Sequence, residues 1–236
     1  MHILITNDDG INAPGIRKLV QIARRFGEVT VIAPDGQRSA ASHQSTFGKP
    51  LILRENDFGI EGVKAYSLSG TPADCVRVGV IKIMDPKPDV VLSGINNGFN
   101  MASDIQYSGT VGAAFEAAFY GIQAIAVSIG NLDYMELADL YLPGLLEEYI
   151  HKPLGKDQVW NINFPECTPS ECKGILHDLI VSKDDFYNDD ITAVKQDDGS
   201  FILTEVAGRN WNATEGTDLH AIINNYIAVG PVNNIS

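Results

Sequence analysis

His2-Ile3-Leu4-Ile5-Thr6-Asn7-Asp8-Asp9-Gly10 comes directly after the first methionine and decides how the rest is read. An apolar run of this length, with no polar alternation, is the pattern of a strand buried on both faces. It ends abruptly on two adjacent carboxylates and a glycine. A strand of this type belongs in a parallel sheet covered by helices, and the loop beyond its carboxyl end is where such sheets bind ligands.

The next segments repeat the plan. Ile16, Leu19, Val20, Ala23 and Phe26 recur at helical spacing, with Pro14 near the expected first turn. Strands are predicted at 29–33, 89–93, 124–128 and 159–164. A helix over 72–84 has Thr71 as cap, Pro72 in the first position and Asp74 three residues after the cap. Another helix runs over 110–121. The helical pattern at 133–151 contains Pro143, which predicts a kink or two helices. Later the character changes. Segments 191–195 and 201–206 flank Asp197-Asp198-Gly199, a hairpin signal. A short helix at 219–224 and a strand at 226–229 close the chain. Strand–helix alternation implies right-handed βαβ units. The expected fold is α/β: a Rossmann-like, doubly wound, mostly parallel sheet. An antiparallel hairpin excursion is expected at about 175–210, within a single domain over 1–236.

Composition narrows the function. The formal net charge of −13 and pI near 4.6 repel a phosphate backbone, so nucleic acid is not an expected partner. A small anion would need a local cation, and a bound metal supplies one. Cys75, Cys167 and Cys172 form no paired framework, which fits a reducing, cytoplasmic compartment. No run is long enough to span a membrane, and no signal segment is read at the start. Asn212-Ala-Thr and Asn234-Ile-Ser match the glycosylation triplet but carry no meaning without export.

The chemistry-bearing residues gather in polar motifs. In Asn7-Asp8-Asp9-Gly10, crowded carboxylates are relieved by a hard divalent cation with oxygen ligands. A plain turn with an Asx cap explains the same residues. In Pro34-Asp-Gly-Gln-Arg-Ser-Ala40-Ala41, Arg38 can meet an anion and Ser39 can offer a hydroxyl to a metal or phosphate; the ordinary alternative is a turn. His43 nearby is either a proton carrier or a structural side chain. Ser69-Gly-Thr-Pro-Ala-Asp-Cys75 is explained by helix capping. Ser93-Gly-Ile-Asn-Asn-Gly-Phe-Asn100 supplies neutral oxygens from Asn96, Asn97 and Asn100. Tyr107-Ser-Gly-Thr-Val-Gly112 presents Ser108, Gly109 and Thr110 at a helix start, where free N–H groups favour anions. It lacks the lysine and spacing of a triphosphate loop.

Taken together, in order and spacing, these motifs resemble the SurE (stationary-phase survival protein) family, densely over residues 1–130 and thinly afterwards. The resemblance implies a Rossmann-like fold and a 5′-nucleotidase that can extend to 3′-nucleotides and short polyphosphate. It implies one divalent cation per subunit, Mg²⁺ or Mn²⁺, held by Asp8, Asp9, Ser39 and Asn96. Asp8 and Asp9 become the catalytic pair. Phosphate and substrate contacts fall on Asn100, Ser108, Gly109 and Thr110, with Asn7 and Gly10 beside the pair. The family's last strand usually reads like Ser-Ile-Thr-Pro-Leu with a longer tail, an element similar to one exchanged between subunits. Here Tyr226-Ile-Ala-Val-Gly-Pro-Val232 stops soon after, which bears on the expected homodimer or higher homo-oligomer.

The expected reaction is hydrolysis of a nucleoside monophosphate. Asp8 could attack phosphorus directly or orient a water, and the sequence leaves both open. The rival readings are a non-catalytic nucleotide-binding module and a metal-dependent nucleotide-sugar transferase. A dinucleotide oxidoreductase is disfavoured, because no G-x-G-x-x-G comes after the first strand.

Overall fold

A computed structural model describes residues 1–234, apart from the side chains at 188, 189 and 207. The Asn234-Ile-Ser triplet extends beyond the described residues. The strands are β1 (His2–Thr6), β2 (Glu28–Pro34), β3 (Leu53–Glu55), β4 (Lys64–Leu68), β5 (Val90–Asn97), β6 (Gln123–Ile129), β7 (Gln158–Phe164), β8 (Ile175–Leu176), β9 (Tyr187–Lys195), β10 (Phe201–Arg209) and β11 (Ile227–Asn233). The helices are α1 (Pro14–Ala23), α2 (Pro72–Val78), α3 (Gly109–Phe119), α4 (Glu136–Tyr149) and α5 (Asp218–Ile223).

The main sheet runs β3-β4-β2-β1-β5-β6-β7-β11-β8. Strands β4, β2, β1, β5, β6 and β7 are mutually parallel; β3 and β11 run antiparallel to their neighbours β4 and β7. Alternate residues of each central strand enter opposite cores. Ile3 and Ile5 pack with α1 and α4, while Leu4 packs with α2 and α3. Val90 and Leu92 join the first core and Val91 the second. Both faces are therefore covered, which is why these strands read as unbroken apolar runs. The expected doubly wound α/β fold is the one found.

The order of connection reverses between β1 and β5. From β1 the chain moves outward to β2 and β4, then returns to β5 on the other side of β1. That reversal opens a crevice at the carboxyl ends of β1 and β5, the usual ligand site of such sheets.

Several local expectations change. Strands β3, β4 and β8 were not expected, and β11 continues past 229 to Asn233. Pro143 lies inside one continuous α4; the break falls earlier, between a short 3₁₀ turn at Leu132–Tyr134 and Glu136. Helix α2 ends at Val78 and passes into a wider π turn over Gly79–Ile83, so the helix expected over 72–84 changes pitch on the way. The Thr71–Asp74 capping box forms as expected. The hairpin is longer than expected, as β9 and β10 pair over nine positions. A third apolar cluster around Phe99, Met101, Phe186 and Leu219 seats its root.

Candidate active site

Asp8 leaves the end of β1 and is nearly fully buried, 4% exposed. Gly10, at φ 98°, turns the chain immediately after the acidic pair, a conformation that other residues rarely adopt. Asn7 closes the same turn: its amide donates to Gly10 O at 3.0 Å, and its Oδ1 accepts from Gly10 N at 3.2 Å. Asn7 is thus committed to shaping the loop that aims the carboxylates.

Helix α3 points its N-terminus at Asp8. The Thr110 hydroxyl donates to Asp8 Oδ1 at 2.7 Å, and the Thr110 backbone N–H also serves this carboxylate. Ser108 caps the helix by accepting from Val111 N at 3.0 Å. Gly109 lies against Asp8; a Cβ there would come within 3.1 Å of Asp8 Oδ2. Despite the helix end and the Thr110 bonds, burial pushes the Asp8 carboxyl up to about 6, with the Asp9 charge acting in the same direction. Asp9 is also raised, chiefly by burial. Its Oδ2 accepts from Asn97 N at 3.2 Å, which ties the pair to the end of β5 beside Asn96.

Asn96 is set by a break in the sheet. The pairing of β5 with β6 shifts register between Ser93 and Asn96, and such an irregularity re-aims the side chains beyond it. Asn96 then donates to Gly98 O at 3.0 Å, turning its amide nitrogen away and leaving its oxygen free for another partner. Ser39 comes in on the loop after β2, which is fastened to Asp8 by an Arg38 N–H donated to Asp8 O at 2.7 Å. An open cleft of about 410 Å³ is lined by Asp8, Ser39, Asn96, Asn100 and Ser108, among others.

These residues fit a cation. Neither Asp8 nor Asp9 has a Lys, Arg or His partner among the described residues. An unpaired buried carboxylate beside a second one is costly and calls for positive charge. Among the described residues no cluster of three or more His, Cys, Asp or Glu gathers, so the donors on offer are two carboxylates with neutral oxygens. That is an all-oxygen set, suited to Mg²⁺ or Mn²⁺.

Other candidates are placed differently. Arg38 pairs with Asp35 at 2.8 Å rather than facing the cleft wall. His43 pairs with the buried Glu116 of α3 at 2.8 Å, a structural contact that holds the Ser39 loop against the helix. Asn100 is locked from three sides: its Nδ2 donates to Ser128 Oγ at 2.7 Å, its N–H to Asn163 Oδ1, and its carbonyl accepts from the Asn161 and Asn163 amides. One amide N–H and its oxygen stay available on the cleft side. Sequence reasoning missed Glu116, and it missed three further residues that line the cleft, Asp104, Tyr187 and Glu205. The strand alternation of the hairpin was the only signal for the last two.

The family model for survival protein SurE matches residues 3–183. The 5′-nucleotidase SurE of Clostridium botulinum (strain Kyoto / Type A2) is 39% identical over 239 residues, spanning 99% of this chain and 93% of that protein. The protein of the same name from Pelobacter propionicus is 37% identical over 237 residues with the same coverage. Among solved structures, the SurE protein of Aquifex aeolicus superposes with a TM-score of 0.83 at 35% identity, covering 99% of this chain and 93% of that one.

Proposed function

This chain belongs to the SurE family, and we propose that it is a divalent-metal-dependent 5′-nucleotidase acting on nucleoside monophosphates, with reach to 3′-nucleotides and short polyphosphate. The observation that carries the reading is Asp8: a buried, unpaired carboxylate at a helix N-terminus, facing a cleft, with Asp9 and Asn96 beside it. Asp8, Asp9, Ser39 and Asn96 would hold one Mg²⁺ or Mn²⁺. Bound there, the cation supplies positive charge for the phosphoryl oxygens.

The chain's own groups do the rest. Thr110 fixes the Asp8 carboxylate through its hydroxyl and its N–H, so the metal-binding oxygens are preorganised. The Gly109 N–H and the Ser108 hydroxyl stand at the positive end of α3, where negative charge on equatorial phosphoryl oxygens is favoured as the transition state loosens. Asn100, held by Ser128 and Asn163, presents a fixed amide to the same oxygens. We place the enzyme in the cytoplasm, in keeping with its three free cysteines. We also propose a homodimer or higher homo-oligomer; the mass in solution, against 25.6 kDa for one chain, tests this.

Phosphate release from a panel of nucleoside monophosphates and sugar phosphates, with Mg²⁺ or Mn²⁺ and then with excess EDTA, tests the reaction. Release that favours nucleotides and stops with EDTA is expected. No release with either metal, alongside tight nucleotide binding, would replace the enzyme with a binding module.

The cation should also compete with protons. Asp8 must be ionised to serve as a ligand, and its carboxyl titrates at about 6 in the metal-free protein. Affinity for Mg²⁺ is therefore expected to be flat above pH 7. Below 6 it should fall by roughly tenfold per pH unit, since each further unit leaves about a tenth as much ionised carboxylate. Calorimetric titration across pH 5–8 measures this. An affinity constant down to pH 5 would remove Asp8 from the ligand set.

A further inference from the structure

The cleft that holds Asp8 also carries a charged group that the phosphate chemistry does not use. In the β9–β10 ribbon Tyr187 stands opposite Arg209 and Glu205 opposite Ile191. Alternation along a strand puts Tyr187, Arg209 and Glu205 on one face. Tyr187 and Glu205 both line the cleft that holds Asp8 and Ser39. The step from Arg209 to Glu205 carries that face about 13 Å along the strand, away from the ribbon's root.

The root is braced to the segment that leads into the active site. Asp104 Oδ2 accepts from the N–H groups of Phe186 and Tyr187 at 2.8 and 2.9 Å. Ser103 donates to Asp185 Oδ1 at 2.6 Å. Arg209 grips Glu166 with two bonds, at 2.6 and 3.0 Å. Ser103 and Asp104 belong to the 3₁₀ turn Ala102–Tyr107, which runs directly into Ser108. The ribbon face is thereby referenced to the phosphate end of the cleft. The acids at the root, Asp104, Glu166 and Asp185, all have donors. Among the described residues the Glu205 carboxylate makes no hydrogen bond or salt bridge, although it lines the same cleft.

Resting on the nucleotidase reading, we propose that Glu205 reads the base of the bound nucleotide and selects guanine. A carboxylate offers two acceptor oxygens side by side and no donor. Guanine presents two adjacent donors, N1–H and N2–H, which meet both oxygens at once. Adenine sets its N6–H beside the N1 acceptor, and cytosine its N4–H beside the N3 acceptor, so each turns a lone pair toward one carboxylate oxygen. Uracil offers a single N3–H between two carbonyls. Tyr107 and Tyr187 line the same cleft and supply aromatic surface that any base can use. They give affinity without preference, and the choice falls to Glu205.

The test is kcat/KM for GMP, AMP and UMP with Mg²⁺, each normalised to p-nitrophenyl phosphate, which has no base edge. The intact enzyme and Glu205→Ala are compared, with Glu205→Gln as a milder change that keeps one acceptor. A bidentate pair at a base edge discriminates by about tenfold or more. The intact enzyme is expected to favour GMP over AMP by about tenfold, Glu205→Ala to bring the ratio close to one, and Glu205→Gln to fall between. Equal values for GMP and AMP in the intact enzyme, or a GMP preference that survives Glu205→Ala, would overturn the assignment. If no ester is hydrolysed, the catalytic reading fails by itself. Equilibrium titration of GMP and AMP onto the same proteins then decides Glu205 by the same ratio.

Discussion

Asp8→Asn is expected to abolish turnover and, in the metal-free protein, to raise stability. The two effects have one cause. Asp8 is buried and has no cationic side-chain partner among the described residues, and burial lifts its carboxyl from 3.8 to about 6. A carboxyl raised on folding lends stability while it is protonated. That stability is complete below about pH 4 and is lost as the pH climbs through 6. At pH 8 the ionised Asp8 costs the metal-free fold about 3 kcal/mol, because its carboxyl sits about two pH units too high at about 1.4 kcal/mol for each. Asparagine has nearly the same shape, still accepts from the Thr110 hydroxyl, and carries no charge to desolvate. Urea unfolding in EDTA at pH 8 should therefore show Asp8→Asn more stable by up to about 3 kcal/mol, with the difference vanishing near pH 4. Added Mg²⁺ should stabilise the parent, because a ligand that binds only the native state shifts the equilibrium. It should leave Asp8→Asn unmoved. Turnover should fall at least about 100-fold, the usual loss for a preorganised electrostatic group. Near-normal turnover, or a metal-free variant less stable than its parent, would sink the assignment. The pattern is that of a site whose chemistry is kept at a cost in stability.

The parts of this fold that were legible in the sequence share a physical property: their signal is local. Strands β1, β2, β5 and β6 are buried on both faces, so each is a mostly apolar run that needs no partner to be seen. The α2 start is written in Thr71, Pro72 and Asp74, and those three residues make the cap themselves. The candidate-site motifs were legible because each lies just past a strand or at a helix start, and the sheet gathers such positions at one edge. What was missed depends on distant partners. Lys64-Ala-Tyr-Ser-Leu68 is short and half polar; it becomes a strand because β2 and β3 flank it. Gly230-Pro231 reads as a stop, yet β11 runs through it. Only Ile227 and Ala228 of β11 pair with β8, so at Pro231 one side of the strand is open and no donor is missed there. The acidic stretch before residue 191 lies outside the predicted strand but pairs across the ribbon with positions 206–208. The likeness to the family was thin in the hairpin, and the cleft wall formed by Tyr187 and Glu205 lies there.

The second large effect comes from a glycine that the motifs do not include. Gly15, the second residue of α1, is buried where the helix crosses β5. A Cβ built on Gly15 would overlap the carbonyl oxygen of Ile95 and crowd its carbon at 3.1 Å. Both are backbone atoms of a central strand, so no side chain can rotate away, and either helix or strand must shift. Overpacking of a dense core usually costs about 1–3 kcal/mol, and a clash between two backbones stands at the top of that range, at about 3 kcal/mol or more. For a chain of this size that lowers Tm by roughly 6–12 °C. Gly144 of α4 is the control, because nothing lies within 4 Å of a Cβ built there. Gly144→Ala gives up backbone freedom only in the unfolded chain and should stabilise by about 0.5 kcal/mol. Opposite signs from the same substitution, measured by thermal and urea unfolding, separate close approach from helix propensity. The site should respond too. Ile95 directly precedes Asn96, so displacing β5 moves a proposed cation ligand. Whatever Gly15→Ala protein folds is expected to bind Mg²⁺ more weakly than its parent, while Gly144→Ala binds it equally. A Gly15→Ala protein with parental Tm would mean that α1 can move off β5 freely. The register shift that aims Asn96 would then have to be maintained by the β5–β6 pairing alone.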